Sequence, residues 1–262
     1  AGFDLAGADV TTMPIAAPGA TARAVIVAKA PGVLAGGPLA DAVFRCLSAD
    51  VAVDWARGEG AGVSPGDTIA HLDGPARALL AGERVALNFL QHLSGVATLT
   101  AAFAARCAPY GVTLLCTRKT VPGLRAVQRY AVAAGGGSLH RAGLFDAVLI
   151  KTNHAILAGG LAEAIRRSVA AAPGRPVEAE VRTVEEAEEA AAAGAGRILV
   201  DNAGHATIAE IVRRLTGRVF IEVSGGVTLD NVESIAALGP DAISVGRLTH
   251  SAPALDLAMR LV

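Results

Sequence analysis

Cysteine is scarce in this chain. Cys46, Cys107 and Cys116 are the full set, with no Cys-x-x-Cys pair and no Cys/His spacing of a metal site. Three scattered thiols do not make a disulfide framework, and they suit a reducing compartment. His71, His92, His154, His205 and His250 fall at no ligand spacing, so zinc is not expected. Neither charge is in excess: 23 basic and 24 acidic residues give a net charge of −1, with no block of either sign. Nucleic acid and membrane surfaces are therefore not expected as partners, and any strong electrostatics must be local. No apolar run approaches the ~18 residues that span a bilayer. The opening residues carry Asp4 and Asp9 rather than a basic stretch, and the expectation is a soluble, cytoplasmic protein. A dinucleotide-binding Gly-x-Gly-x-x-Gly after an early strand is missing, and the Gly-x-Ser-x-Gly at Gly62-Val63-Ser64-Pro65-Gly66 leads by a turn into the strand expected at 68–72 rather than from a strand into a helix, so it is not a nucleophile elbow. Cys116 sits inside an apolar run, where packing is a better reading than nucleophilic catalysis.

What is present is a large apolar chain, 262 residues with 52% hydrophobic side chains, and 30 glycines and 12 prolines spread along it. That is enough for one large α/β domain, or one with a smaller companion. From about residue 103 short β-branched runs alternate with alanine-rich helical patterns. Strands are expected at 113–117, 147–151, 177–181, 197–201, 219–223 and 242–245, with helices near 122–134, 157–171, 183–193, 206–215 and 229–238. Glu180, Asp201 and Glu222 recur every 21 residues. The period favours a closed parallel barrel, in which C-terminal strand ends converge on one mouth, with an open doubly wound sheet as the alternative. The first hundred residues instead read as α+β. Strands are expected at 22–28, 51–53 and 68–72, a helix at 38–47, and a long helix from about Gly82 to Cys107 that carries Leu87, Leu90, Leu93 and Val96. The resulting division is an N-terminal domain over 1–95 and a catalytic domain over 96–250. Residues 251–262 are expected to return as an amphipathic helix onto the first domain.

Charge is concentrated where strands end. The apolar runs 114–117 and 147–150 lead straight into Arg118-Lys119 and Lys151, and His140-Arg141 lies between them. A buried cation without a partner costs several kcal/mol or shifts its pKa, so such a cluster implies an anionic ligand, nearby acids, or both. Acids occur in the same context: Glu178 and Glu180 share one face of a strand, and Asp201 and Glu222 lie at or near later strand ends. Carboxylates beside an anion site suit Mg²⁺ held jointly with substrate phosphates, or they neutralise the cations as ion pairs; both roles are compatible. His140 reads either as a donor to a substrate carboxylate or as a satisfied, partly buried histidine. Ser224-Gly225-Gly226 and Gly246-Arg247 follow late strands. They form either phosphate cradles or tight strand-to-helix turns.

The runs 83–95 (Glu83-Arg84 through Ser94-Gly95), 117–125 (Thr117-Arg118-Lys119-Thr120-Val121-Pro122-Gly123) and 135–146 (Gly135-Gly136-Gly137 through His140-Arg141 to Asp146) resemble the quinolinate phosphoribosyltransferase family. Lys151 with Asn153-His154, Glu178 to Glu180, Asp201-Asn202, Ser224-Gly225-Gly226 and 245–251 follow in the family's order, and a weaker Asp9-Val10-Thr11-Thr12 opens it. The resemblance implies a type II phosphoribosyltransferase: an N-terminal α/β sandwich, an incomplete, open α/β barrel, and a homodimer with shared active sites. It implies transfer from phosphoribosyl pyrophosphate to quinolinate with decarboxylation, giving nicotinate mononucleotide, a step of NAD biosynthesis. By that likeness Arg118, His140, Arg141 and Lys151 hold the dicarboxylate, with Arg84 supplied by the partner chain, and Lys119 contacts phosphoribosyl pyrophosphate. Glu180 and Asp201 bind Mg²⁺ or the ribose hydroxyls, and Ser224, Gly225, Gly226 and Gly246 take the 5′-phosphate. Ala8, Leu139 and Thr152 depart from the usual Gly, Asn and Asp. They leave open a related enzyme of the molybdenum-operon type acting on another aromatic acid, or a non-catalytic oxyanion-binding protein; retention of Lys151 favours quinolinate.

Overall fold

The fold is that of a computed structural model, which describes residues 9–262; Asp4 and Ala8 lie outside the described residues. In chain order the elements are α1 (Thr12–Ile15), β1 (Thr21–Ala28), β2 (Gly32–Val33), α2 (Gly37–Leu47), β3 (Ala52–Trp55), β4 (Gly62–Val63), β5 (Thr68–Pro75) and α3 (Ala76–Cys107). Then come β6 (Thr113–Leu115), α4 (Arg125–Ala134), β7 (Val148–Ile150), α5 (Thr152–Ala158), α6 (Leu161–Ala171), β8 (Val177–Val181), α7 (Val184–Ala192) and β9 (Arg197–Asp201). The chain closes with α8 (His205–Leu215), β10 (Phe220–Ser224), α9 (Val232–Ala236), β11 (Ala242–Ser244), α10 (Arg247–His250) and β12 (Leu257–Leu261). Two compact units result: the first takes the chain up to Leu99 with Ala126–Gly136 and Ala252–Val262, and the second takes Thr100–Arg125 and Gly137–Ser251.

The first unit is built on an antiparallel sheet in the order β12-β1-β5-β3. Ile26, Phe44, Ile69, Leu72, Leu79, Leu87, Leu90 and Leu257 fill its core. The expected C-terminal helix is corrected to the edge strand β12, antiparallel to β1 with Ile26 opposite Met259. Two features decide against a helix. Pro253 interrupts the start, and Leu255, Leu257, Met259 and Leu261 alternate with period two, the strand spacing. The long helix α3 begins six residues before Gly82, the expected start. Gly82 is inside it because a Cβ there would lie 2.8 Å from the Phe44 ring of α2. Close packing outweighs a helical glycine's penalty of about 1 kcal/mol.

The second unit carries a six-stranded parallel sheet in the order β6-β11-β10-β9-β8-β7. β6 and β7 are its edges, so it is an open α/β barrel and the closed form favoured by the 21-residue period is corrected. The segment between these strands gives α4 to the first unit and pairs with the sheet's backbone through an isolated bridge, Leu115 to Ser138. A strand that would have closed the ring is thus replaced by irregular chain. The expected helix at 157–171 is two helices, α5 and α6, divided at Gly159-Gly160, whose φ values of 88° and 150° end a right-handed helix.

Strand register sorts the inward residues into layers. Glu178, Arg197 and Phe220 share the lowest, Lys151, Glu180, Leu199, Glu222 and Ala242 fall in the next, and Asp201, Ser224 and Ser244 form the upper one. The 21-residue spacing therefore does not hold a constant level: Asp201 sits one layer above Glu180 and Glu222. The alternate residues Ala179, Val181, Ile198, Val200, Ile221 and Val223 are buried on the other face, which is why each strand reads as a continuous apolar run despite its charged inner residues.

Candidate active site

At the C-terminal strand ends of the second unit lies a cavity of about 370 Å³ lined by Arg118, Lys119, His140, Arg141, Lys151, Asp201, Glu222, Ser224 and others. A neighbouring cavity of about 330 Å³ is lined by Lys119, Ser224, Gly225, Gly226, Gly246, Arg247 and His250. Lys119, Ser224 and Ser244 border both. Eleven of the twelve sequence-predicted residues thus belong to the unit that holds both cavities. Glu180 lines neither, but its carboxylate accepts from Lys151 Nζ at 2.5 Å and from Thr152 Oγ1 at 3.1 Å. Arg84 is in the first unit, on α3, with its side chain 68% exposed and Glu83 4.0 Å away.

Arg118, Lys119 and Lys151 are placed by the ends of β6 and β7, and His140 and Arg141 by the irregular chain between α4 and β7. Arg118 and Lys119 follow β6, and the carbonyl of Lys119 accepts from the buried Thr249 Oγ1 at 2.7 Å, which ties that loop to the turn after β11. Arg118 buries its Nε with no hydrogen-bond partner, an arrangement that is costly unless an anion completes it. Arg141 has a pKa drawn below its usual value by burial and by the neighbouring Arg118 charge. Two guanidinium groups that disfavour one another mark a place meant for negative charge.

His140 is the most perturbed group of the site. Its Nε2 lies 3.2 Å from Glu178 Oε2 and 3.4 Å from Glu222 Oε2. Burial alone would lower its pKa, but the two carboxylates outweigh burial and push it up to about 9. The backbone N–H of Arg141, donating to Nδ1 at 2.7 Å, opposes a second proton on the ring. The carboxylates thus raise the pKa by holding the ring proton on Nε2, while the geometry at Nδ1 is that of an acceptor for the Arg141 N–H. The Glu222 carboxyl, which burial would raise, is held below the ordinary range chiefly by His140.

Glu180 behaves in the same way: burial raises its pKa, and the Lys151 hydrogen bond and charge more than reverse this. Asp201 accepts from Asn202 Nδ2 at 2.9 Å and has Arg182 at 4.0 Å. These two carboxylates stand on adjacent strands, one layer apart. Such a donor set fits a hard divalent cation only when substrate oxygens complete it. Among the described residues, the trio whose ligand atoms come within 4.8 Å of one another is His140, Glu178 and Glu222, and there Arg197 already supplies the positive charge.

The glycine turn after β10 has a steric reason. Gly225 has φ 91°, and a Cβ on it would lie 2.7 Å from the backbone nitrogen of Asn202, itself in the left-handed region at φ 55°. The ends of β9 and β10 are joined there by Asn202 N–H donating to Ser224 O at 2.9 Å. Gly246 leaves room for Lys119, whose Cδ would be 3.1 Å from a Cβ.

The description "Quinolinate phosphoribosyl transferase, N-terminal domain" matches residues 9–94, and its C-terminal counterpart matches residues 96–260. The chain belongs to the quinolinate phosphoribosyl transferase family. It is 41% identical over 239 residues to the probable carboxylating nicotinate-nucleotide pyrophosphorylase of Bacillus subtilis, covering 90% of this chain and 82% of that protein. It is 42% identical over 246 residues to the human carboxylating nicotinate-nucleotide pyrophosphorylase, covering 91% and 82%. The solved nicotinate-nucleotide pyrophosphorylase of Francisella tularensis superposes with a TM-score of 0.91 at 37% identity, covering 93% of this chain and 87% of that one. A mixed α/β chain with a small antiparallel sheet and an open parallel barrel is the type II phosphoribosyltransferase fold of this family.

Two of the family departures can be placed. Leu139 is 46% exposed and lines neither cavity, and Thr152 supplies a neutral donor to Glu180. Arg197, by contrast, is inconspicuous in the sequence, yet it sits in the lowest inward layer between Glu178 and Glu222. Its position with the same parity as Leu199 and Asp201 was the available signal.

Proposed function

We propose that this chain transfers the phosphoribosyl group of phosphoribosyl pyrophosphate to quinolinate with loss of carbon dioxide, giving nicotinate mononucleotide and pyrophosphate. The observation that carries the reading is the gathering of Arg118, His140, Arg141, Lys119 and Lys151 around one cavity that shares a wall with the Ser224-Gly225-Gly226 turn. A ring with two adjacent carboxylates satisfies the first set, and a phosphorylated sugar satisfies the second.

The chemistry follows from placement. Arg118 and Arg141 fix the ring carboxylates and so aim the ring nitrogen at the anomeric carbon; positioning of this kind contributes on the order of 7–11 kcal/mol. As the C–O bond to pyrophosphate breaks, positive charge grows on the ribose, where Asp201 and Glu180 stabilise it. Lys119, at the junction of the cavities, receives the developing charge of the leaving oxygen. Mg²⁺, held by Glu180 and Asp201 with substrate oxygens, would supply further neutralisation of the diphosphate. The carboxylate next to the pyridinium nitrogen then leaves as carbon dioxide, its bonding electron pair stays on the ring carbon as an ylide stabilised by the adjacent positive nitrogen, and a proton from water completes that carbon. We further propose that the enzyme works as a cytoplasmic homodimer in which Arg84 of each chain serves the other's site.

The test is a substrate panel with phosphoribosyl pyrophosphate and Mg²⁺. Quinolinate should yield nicotinate mononucleotide, and nicotinate, benzoate and phthalate should yield no nucleotide. Turnover of another aromatic acid in preference to quinolinate would overturn the substrate assignment.

A further inference from the structure

Beneath the dicarboxylate cavity, Glu178 and Glu222 lie on neighbouring faces of one histidine with exposures of 4% and 0%. Two carboxylates at this depth lose their hydration at a cost of several kcal/mol each unless cations compensate them. They have two. Arg197 approaches from the lowest layer, its Nε donating to Glu178 Oε1 at 3.5 Å and its Nη2 to Glu222 Oε2 at 3.3 Å. Its guanidinium carbon is 4.0 Å from the centre of the Phe220 ring, which fixes the fork from the side. From the cavity side, His140 Nε2 contacts both acids, and the other ring nitrogen accepts the backbone N–H of Arg141. Both nitrogens of His140 are therefore engaged by protein groups. The orientation of the imidazole sets where the Arg141 backbone lies, and with it where the Arg141 side chain begins.

We propose that Arg197, Glu178 and Glu222 are positioning residues for the quinolinate subsite, which hold His140 and, through the His140–Arg141 contact, aim Arg141 at a ring carboxylate. The substrate's name rests on the transferase reading above, whereas the mechanical coupling from Arg197 to Arg141 does not. A planar, forked cation is required at residue 197 because it must reach two acids on different strands, and a lysine, a point charge, reaches one at a time. Ser244, beside Glu222, is where this chain of contacts meets the phosphate cradle, and Arg197 and Glu178 lie two layers below it, so the cradle's ligand should be affected least.

Arg197→Met, Arg197→Lys and Glu222→Gln separate these effects when the two substrates are varied independently. Arg197→Met should raise KM for quinolinate about tenfold or more and leave KM for phosphoribosyl pyrophosphate within about twofold, with Arg197→Lys intermediate. A parallel rise in both KM values, or no change in either, would overturn the proposal. Should Arg197→Met not fold, Arg197→Lys and Glu222→Gln decide it alone. The ¹⁵N signals of the His140 imidazole, assigned by their loss in His140→Gln, give a readout that needs no substrate. They should shift in Glu222→Gln and Arg197→Lys, and unchanged signals would refute the coupling. If the unaltered protein turns over no quinolinate, the transferase reading fails while these spectra still decide the positioning role.

Discussion

Arg118 carries opposite consequences for stability and for binding. A buried Nε without an acceptor is a liability in the free protein and an asset once a carboxylate arrives. Arg118→Met should leave the melting temperature unchanged or raise it. The same change should weaken quinolinate by about 2–5 kcal/mol, the usual loss when one member of a desolvated charge pair is truncated. Thermal melts and KM for quinolinate on the same preparation check both halves; a destabilised variant with normal KM would remove Arg118 from the site. Residues of this kind were legible in the sequence because charge at the end of an apolar run is physically conspicuous. Arg118, Lys119, Lys151 and Asp201 were found that way. Arg197 was not, because it begins its strand and its charge is matched by acids from two other strands, a relation that only the fold creates.

At the level of elements, the site depends on how strand ends turn. The β9 and β10 ends are locked together, with Asn202 in the left-handed region and Gly225 against its backbone nitrogen. Gly225→Ala should impose backbone strain on the order of 1–3 kcal/mol and force the two turns apart. KM for phosphoribosyl pyrophosphate should rise more than that for quinolinate, as steady-state kinetics would show; equal affinity for phosphoribosyl pyrophosphate would mean that the turn does not bind it. Strands β8 and β9 could be read to the residue from sequence, since buried parallel strands are short apolar runs bounded by turns. The last segment misleads as to type. Its apolar residues suit a helix until Pro253 and the two-residue alternation are given weight, and the vacant edge of β1 that β12 pairs with is invisible before the first sheet is known. Closure of the barrel failed as an inference for a similar reason: a regular period in the later strands says nothing of what the chain does between β6 and β7.

For the molecule as a whole, the proposed sharing of Arg84 between subunits has a direct genetic form. Mixtures of Arg84→Ala and Arg118→Ala subunits should regain up to about a quarter of unaltered activity, since one composite site per heterodimer is then free of both lesions and heterodimers form about half of a random mixture. Activity no higher than that of either variant alone would place Arg84 outside the site. No helix among the described residues is long and apolar enough to cross a membrane, and the chain's charge is balanced overall, so the field at the site is made by local placement of cations rather than by net charge.

The most direct measurement follows quinolinate labelled with ¹³C in the carboxylate next to the ring nitrogen, incubated with phosphoribosyl pyrophosphate and Mg²⁺. The label should leave as carbon dioxide in equal amount to the pyrophosphate and nicotinate mononucleotide formed, and Arg141→Ala should abolish all three together. Release of pyrophosphate with the label retained in the product, or labelled carbon dioxide without nucleotide, would contradict the account.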